Sequence, residues 1–203
     1  MPKRVDHHER RTSIADALMR VAADRGLEAV SLRHVAAEAG VSAGMVQHYF
    51  RTKDEMMTFA MAVVREHHRV RATAAVAALG GTPSPRSLVR TVLAEILPLD
   101  EARRADGRVA LAFLAYTAVR PAAGTLREDT ATMLGFVADE IRAAQSAGDA
   151  HAHIDPDAAA AGLLAAVEGL GVHLLGGHFT TRVALEALDT HLDLIFVPRG
   201  EPR

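Results

Sequence analysis

Apolar residues recur along almost the whole chain at spacings of three and four, and no long run alternates between hairpin turns, so the sequence reads as all-α. Ile14, Ala17, Leu18, Val21 and Ala22 form one stripe of a first helix, with Gly26 as its stop. Ser31 is placed to cap a second, short helix carrying Leu32, Val35, Ala36 and Ala39 and closed by Gly40. Ser42 then caps a third helix running to about Phe50. The run Thr52-Lys53-Asp54-Glu55 predicts a capping box, with Thr52 accepting from the Glu55 amide and Glu55 reaching back. Met56, Phe59, Ala60 and Val63 begin the apolar face of a long fourth helix that ends near Leu79.

The run Gly80-Gly81-Thr82-Pro83-Ser84-Pro85 is the clearest internal punctuation. Ser84 and Pro85 launch a fifth helix with Leu88, Val89, Val92, Leu93 and Ile96, which Pro98 is expected to stop. The pattern then predicts helix from about Asp100 to Val119, interrupted near Gly107, and from about Gly124 to Ala147, stopped by Gly148. Asp155-Pro156 opens a helix to about Leu175, and Thr180 or Thr181 opens a last one reaching Val197. The expected architecture is about nine helices: a three-helix N-terminal domain over residues 1–53 and a larger helical domain over residues 54–203, with no internal repeat.

Composition narrows the function classes. With 203 residues and 49% apolar content the chain can bury a sizeable core and lies far from the disordered regime. It has no cysteine, which excludes disulfides, thiolate metal sites and cysteine nucleophiles and agrees with a cytoplasmic protein. The basic, polar start shows no secretory pattern. A net charge of −2 hides an asymmetry. Residues 1–53 carry nine Lys or Arg against six acids, or +3, and the remainder is −5. A positive end on an acidic body suits a partner such as DNA.

The stretch from Leu32 to Tyr49 has helix-turn-helix spacing, and each special position has a steric reason. Ala36 stands where the two helices cross, and Gly40 sits at the turn, where positive φ favours a residue without Cβ. Val35, Val41 and Val46 are placed to close a small core. The second helix of such a motif enters the major groove. Ser42 caps that helix, whose outward end is suited to a phosphate.

The run Val35-Ala36-Ala37-Glu38-Ala39-Gly40-Val41-Ser42-Ala43-Gly44-Met45-Val46-Gln47-His48-Tyr49-Phe50-Arg51-Thr52-Lys53-Asp54-Glu55 resembles the signature of the TetR family of transcriptional regulators. The likeness covers about 45 residues, from Ile14 to Phe59, and the remaining length and helix order are similar to that family's ligand domain. Arg108 to Ala115, Asp155-Pro156-Asp157 and Val167 to Leu170 resemble the C-terminal region of BetI-type members.

The resemblance implies a repressor that binds double-stranded DNA as a homodimer and responds to a small molecule. It implies that Ala43, Gly44, Met45 and Gln47 face base edges, while Ser31, Arg33, Ser42, His48, Tyr49 and Lys53 lie along the backbone. The chemistry agrees. Gln47 can pair bidentately with adenine, Met45 suits a thymine methyl, and Lys53 suits a phosphate. A tyrosine is common in the family at Gln47 and a histidine at Tyr49, so no relative's base preference carries over. The basic arm of Lys3, Arg4, Arg10 and Arg11 is read either as a further DNA contact or as a disordered tail.

Met61, Phe113, Tyr116, Met133, Phe136 and Val167 are the candidate effector-binding residues; for such a stripe, core packing is the competing reading. The eleven histidines invite a metal reading. His7-His8, His67-His68 and His151 with His153 are instead taken as solvated, since none has an i+4 partner or a nearby carboxylate at ligand spacing. No phosphate loop, nucleophile motif or distinctive carboxylate pair supports an enzyme, and no cofactor is expected. The apolar stretch from Ala158 to Gly177 is tested against a membrane span and rejected: Glu168 at its centre costs about 2.5 to 3.5 kcal/mol there, and Ala and Gly offset little. Gly162, Ala165, Ala166 and Gly169 leave room for close approach of a neighbouring helix, and the last two helices are the expected dimer interface.

Overall fold

Polar caps fall where the hydrophobic pattern starts helices, and the computed structural model, which describes residues 2–26, 29–118 and 124–197, is all-helical apart from one isolated bridge among those residues. The helices are α1 (Pro2–Arg25), α2 (Leu32–Glu38), α3 (Ala43–Tyr49), α4 (Lys53–Leu79), α5 (Pro85–Ala94), α6 (Glu101–Ala118), α7 (Gly124–Ala147), α8 (Pro156–Leu175) and α9 (Thr181–Asp193). Ser31, Ser42, Ser84, Asp155 and Thr180 are the N-caps of α2, α3, α5, α8 and α9, each side chain accepting from the backbone N–H three residues on. Gly26, Gly40, Gly80 and Gly148 take positive φ at the stops expected of them.

The chain forms two compact units: residues 1–68 with 100–122, and residues 69–99 with 123–203. In the first, α1 packs against α2 and α6, and α2 packs on α3. Its buried side chains include Ile14, Leu18 and Val21 from α1, Val35 and Ala36 from α2, Val46 from α3, Met56, Met57 and Met61 from α4, and Val109 and Phe113 from α6. The second unit packs α5, α7, α8 and α9 around Leu93, Leu97, Ile141, Leu163, Val167, Leu174 and Leu188. There Arg90 holds Asp189 bidentately at 2.6 and 2.9 Å, and Arg86 donates to Asp193 at 2.6 Å, fastening α5 to α9.

Several expectations are corrected. α1 is helical from Pro2, so the basic arm belongs to a helix and is no disordered tail; the side chains of Lys3 and Arg4 lie outside the described set. Gly107 does not interrupt α6. A helical glycine costs about 1 kcal/mol, and Asp106, Val109 and Phe113, buried on either side of it, hold the helix through that position. The helix ends at Ala118, and Val119 lies outside the described residues. α5 ends at Ala94, ahead of Pro98, in tight turns from Ile96 to Leu93 and from Leu97 to Ala94.

α9 stops at Asp193 and does not reach Val197, because Phe196 pairs with Ala150 in an antiparallel bridge. The Val197 N–H donates to Asp149 at 2.9 Å and that of His151 to Ile195 at 3.0 Å. Periodicity alone does not reveal a two-residue pairing. α8 is the one helix among the described residues long and apolar enough to cross a membrane, with 28% of its apolar window buried. Among the described residues its small-residue face meets no neighbour at Gly162 or Gly169, where an added Cβ would find nothing within 4 Å.

Candidate nucleic-acid interface

The turn between α2 and α3 follows from one residue without a side chain. The Gly40 N–H donates to Ala37 and the Val41 N–H to Ala36, at 3.3 and 3.0 Å, while Gly40 takes φ +66°. This doubly bonded stop lets the chain reverse into Ser42, whose hydroxyl accepts from the Met45 N–H at 3.1 Å and starts α3. The hydroxyl of Ser31 accepts from the His34 N–H at 3.2 Å and starts α2. Ala36 is buried as the crossing requires, and of the three valines proposed for the small core Val35 and Val46 are buried whereas Val41 is half-buried.

Val46 alone of α3 is buried, and it fixes which way the helix faces. Ala43, Gly44, Met45, Gln47 and His48 are exposed and Tyr49 is half-buried. Met45 is 39% exposed, a large apolar side chain standing in solvent. Of the residues assigned to the DNA backbone, Arg33 and Ser42 are exposed, and Ser31 and Lys53 are half-buried. The predicted readers thus lie along one short helix, which also carries His48.

Between Ser31 and Glu55 the sequence carries three carboxylates, Glu38, Asp54 and Glu55, and each is held by a donor. Arg20 of α1 donates to Glu38 at 2.7 Å. The Tyr116 hydroxyl of α6 donates to Asp54. Glu55 accepts the Arg51 N–H at 2.9 Å and pairs with Arg11 at 3.8 Å. The capping box is therefore modified: Thr52 accepts from the Glu55 N–H at 3.1 Å as expected, but Glu55 reaches back to Arg51 and not to Thr52. Arg11 also lies over the rings of Phe50 and Phe59, 5.0 and 4.6 Å from their centroids, tying α1 to the end of α3 and the start of α4.

Sequence reasoning missed all of these remote donors. Arg20 is 18 positions from Glu38 and Tyr116 is 62 from Asp54, beyond the reach of any helical spacing rule.

The six effector candidates divide between the units. Met61 and Phe113 are buried in the first, where Tyr116 makes its bond to Asp54. Val167 is fully buried in the second, and Met133 and Phe136 pack half-buried against that core. His67, read as solvated and without a carboxylate, has its Nδ1 3.0 Å from the buried Asp106 of α6. No group of three or more potential metal ligands occurs among the described residues.

Two capped helices joined by a left-handed glycine, with the second presenting Ala43, Gly44, Met45, Gln47 and His48 to solvent, form a helix-turn-helix, a module that binds DNA. The profile of "Bacterial regulatory proteins, tetR family" matches residues 14–58, and that of "BetI-type transcriptional repressor, C-terminal" matches residues 85–197. The chain belongs to the TetR family, with a C-terminal region of BetI type, and is a DNA-binding transcriptional regulator.

It is 30% identical over 204 residues to the HTH-type transcriptional regulator BetI of Burkholderia thailandensis, covering 98% of this chain and all of that one. It is 41% identical over 118 residues to the HTH-type transcriptional regulator PksA of Bacillus subtilis, a match spanning 57% of this chain and about half, 55%, of that relative. The crystal structure of a transcriptional regulator from Rhodococcus sp. Rha1 superimposes with a TM-score of 0.79 at 31% identity, covering 91% of this chain and 95% of that one.

Proposed function

We propose that the protein is a cytoplasmic homodimeric repressor that holds a pseudo-palindromic operator through two copies of α3 and releases it when a small molecule binds. The observation that carries this reading is the exposure of Ala43, Gly44, Met45, Gln47 and His48 on a helix anchored by the buried Val46. In it, Gln47 pairs with adenine, Met45 meets a thymine methyl, and Ala43 and Gly44 permit close approach of the backbone. Ser31, Arg33, Ser42, His48, Tyr49 and Lys53 line the phosphates and set the register.

Dimer formation is supported by the open face of α8, where Ala161, Gly162, Ala165, Gly169 and Val172 are exposed, together with Val183 of α9 and Leu194 just beyond it. Exposed apolar surface of this kind favours a second copy over water. Two reading heads then address half-sites about one turn, roughly 34 to 36 Å, apart. The effector reading is supported by the BetI-type region, whose α7 carries the half-buried Met133 and Phe136 beside a closed core that includes Val167. A typical coupling of about 1 to 3 kcal/mol between effector and DNA suffices for release.

The test is binding to a duplex selected by the protein from a random pool, measured across salt concentrations. Lys53→Ala should weaken binding to all sequences and lower the salt slope by about one, whereas Gln47→Ala should change base preference at one position per half-site. Identical behaviour of the two variants refutes the assignment. A monomer in sedimentation at micromolar concentration refutes the dimeric mechanism.

A further inference from the structure

Tyr116 lies 62 positions from Asp54 in sequence, yet its hydroxyl reaches that residue in the first turn of α4, directly after the helix-turn-helix. α6, which carries it, packs on α1 and is buried through Val109 and Phe113 in the first unit. The helix meets α4 at two polar points: Tyr116 on Asp54 in the first turn of α4, and Asp106 on His67 farther along it. Asp106, at 2% exposure, is the one buried charged residue among those described. These points are 13 residues apart on α4, about 20 Å of helix. α6 is thereby held to α4 at two points, and the Tyr116 hydroxyl is carried by a helix and not by a loop.

Asp54 is the immediate neighbour of Lys53, whose ammonium is assigned to a DNA phosphate. A carboxylate free to swing toward that ammonium would harm phosphate binding in two ways: it would repel the phosphate directly, and it would compete with it for the lysine. Glu38 and Glu55, the other two carboxylates of the segment, are held by the guanidinium groups of Arg20 and Arg11. Asp54 is held by the neutral phenol of Tyr116, which leaves its charge in place but fixes its direction.

We infer that Tyr116 is a positioning residue for DNA binding: its hydroxyl holds the Asp54 carboxylate away from Lys53 and the phosphate. Tyr116 thus sets DNA affinity from α6, outside the helix-turn-helix. This rests on the assignment of Lys53 to a phosphate. It predicts a dependence that packing alone does not produce, because removing the hydroxyl matters only while the carboxylate is present.

The experiment is a double-mutant cycle on the full chain. The probe is the duplex enriched by the wild-type protein from a random pool, and dissociation constants are measured at several potassium chloride concentrations. Tyr116→Phe should weaken binding about threefold, the effect of one like charge brought to about 6 to 7 Å from a phosphate in water. Asp54→Asn should bind at least as tightly as wild type, and Tyr116→Phe added to Asp54→Asn should change nothing. The loss should shrink as salt rises, while thermal midpoints of the single variants remain close to wild type.

Unchanged binding by Tyr116→Phe, or the same loss in both backgrounds, overturns the inference. If the wild-type protein enriches no duplex, the DNA-reading assignment itself fails. If it does enrich one but Lys53→Ala binds that duplex as wild type does, only the phosphate role of Lys53, and the inference with it, is lost.

Discussion

Replacing Gly40 by alanine isolates the conformational cost of the turn that aims the recognition helix. Gly40 has φ +66°, and a Cβ built there meets no atom within 4 Å, so there is no steric clash to relieve. What remains is the left-handed backbone, which costs an L-residue about 1 to 2 kcal/mol. Alanine also restricts the unfolded chain, which offsets part of this, but a substitution into an incompatible conformation is destabilising on balance. The net effect is about 1 kcal/mol, or roughly a fivefold rise in local opening.

Native-state amide exchange measures this locally, through the Val41, Met45, Val46 and Phe50 amides that donate around the turn and α3. Those amides should exchange about fivefold faster in Gly40→Ala, and less so in Gly40→Asn, since asparagine tolerates the left-handed region better. Amides of the Leu163 and Leu188 core belong to the other compact unit and should not change. Unaltered protection in α3, or equal acceleration by asparagine and alanine, would refute the reasoning that backbone strain alone makes glycine necessary here.

Two further outcomes follow from the second unit. Arg90 holds the Asp189 carboxyl below the usual carboxylate range, first through its hydrogen bonds and also by charge, against an opposing effect of burial, with Arg86 adding to the lowering. The stability this gives is present above about pH 4, the ordinary aspartate value, and is lost as pH falls through the depressed one. Because both side chains are about one-third exposed, Asp189→Asn should cost only about 1 kcal/mol at pH 7, and denaturant midpoints of variant and wild type should converge in acid. Leu163→Ala, at a site 2% exposed, should cost about 2 to 5 kcal/mol in urea unfolding of the second unit.

Local architecture is legible in the order of residues alone. Caps and stops act over three or four residues, so Ser31, Ser42, Ser84, Asp155 and Thr180 announced helix starts, and Gly26, Gly40 and Gly148 their ends. The stripe from Ile14 to Ala22 and the placement of Val35 and Val46 marked the core of the reading head for the same reason: helical period alone decides which side chains share a face. Exposure of Ala43, Gly44, Met45, Gln47 and His48 follows once Val46 is turned inward.

What holds the acids in and beside the helix-turn-helix is set by long-range packing. Arg20 on Glu38, Arg11 over Phe50 and Phe59, and Tyr116 on Asp54 join residues many helical turns apart, and no spacing rule links them. The same holds for the membership of α6 in the first compact unit, for the Arg86–Asp193 clamp across 107 positions, and for the Ala150–Phe196 bridge that ends α9 early. These contacts exist because packing brings distant surfaces within hydrogen-bonding range. A one-dimensional pattern records the face a residue occupies but not the partner it meets there.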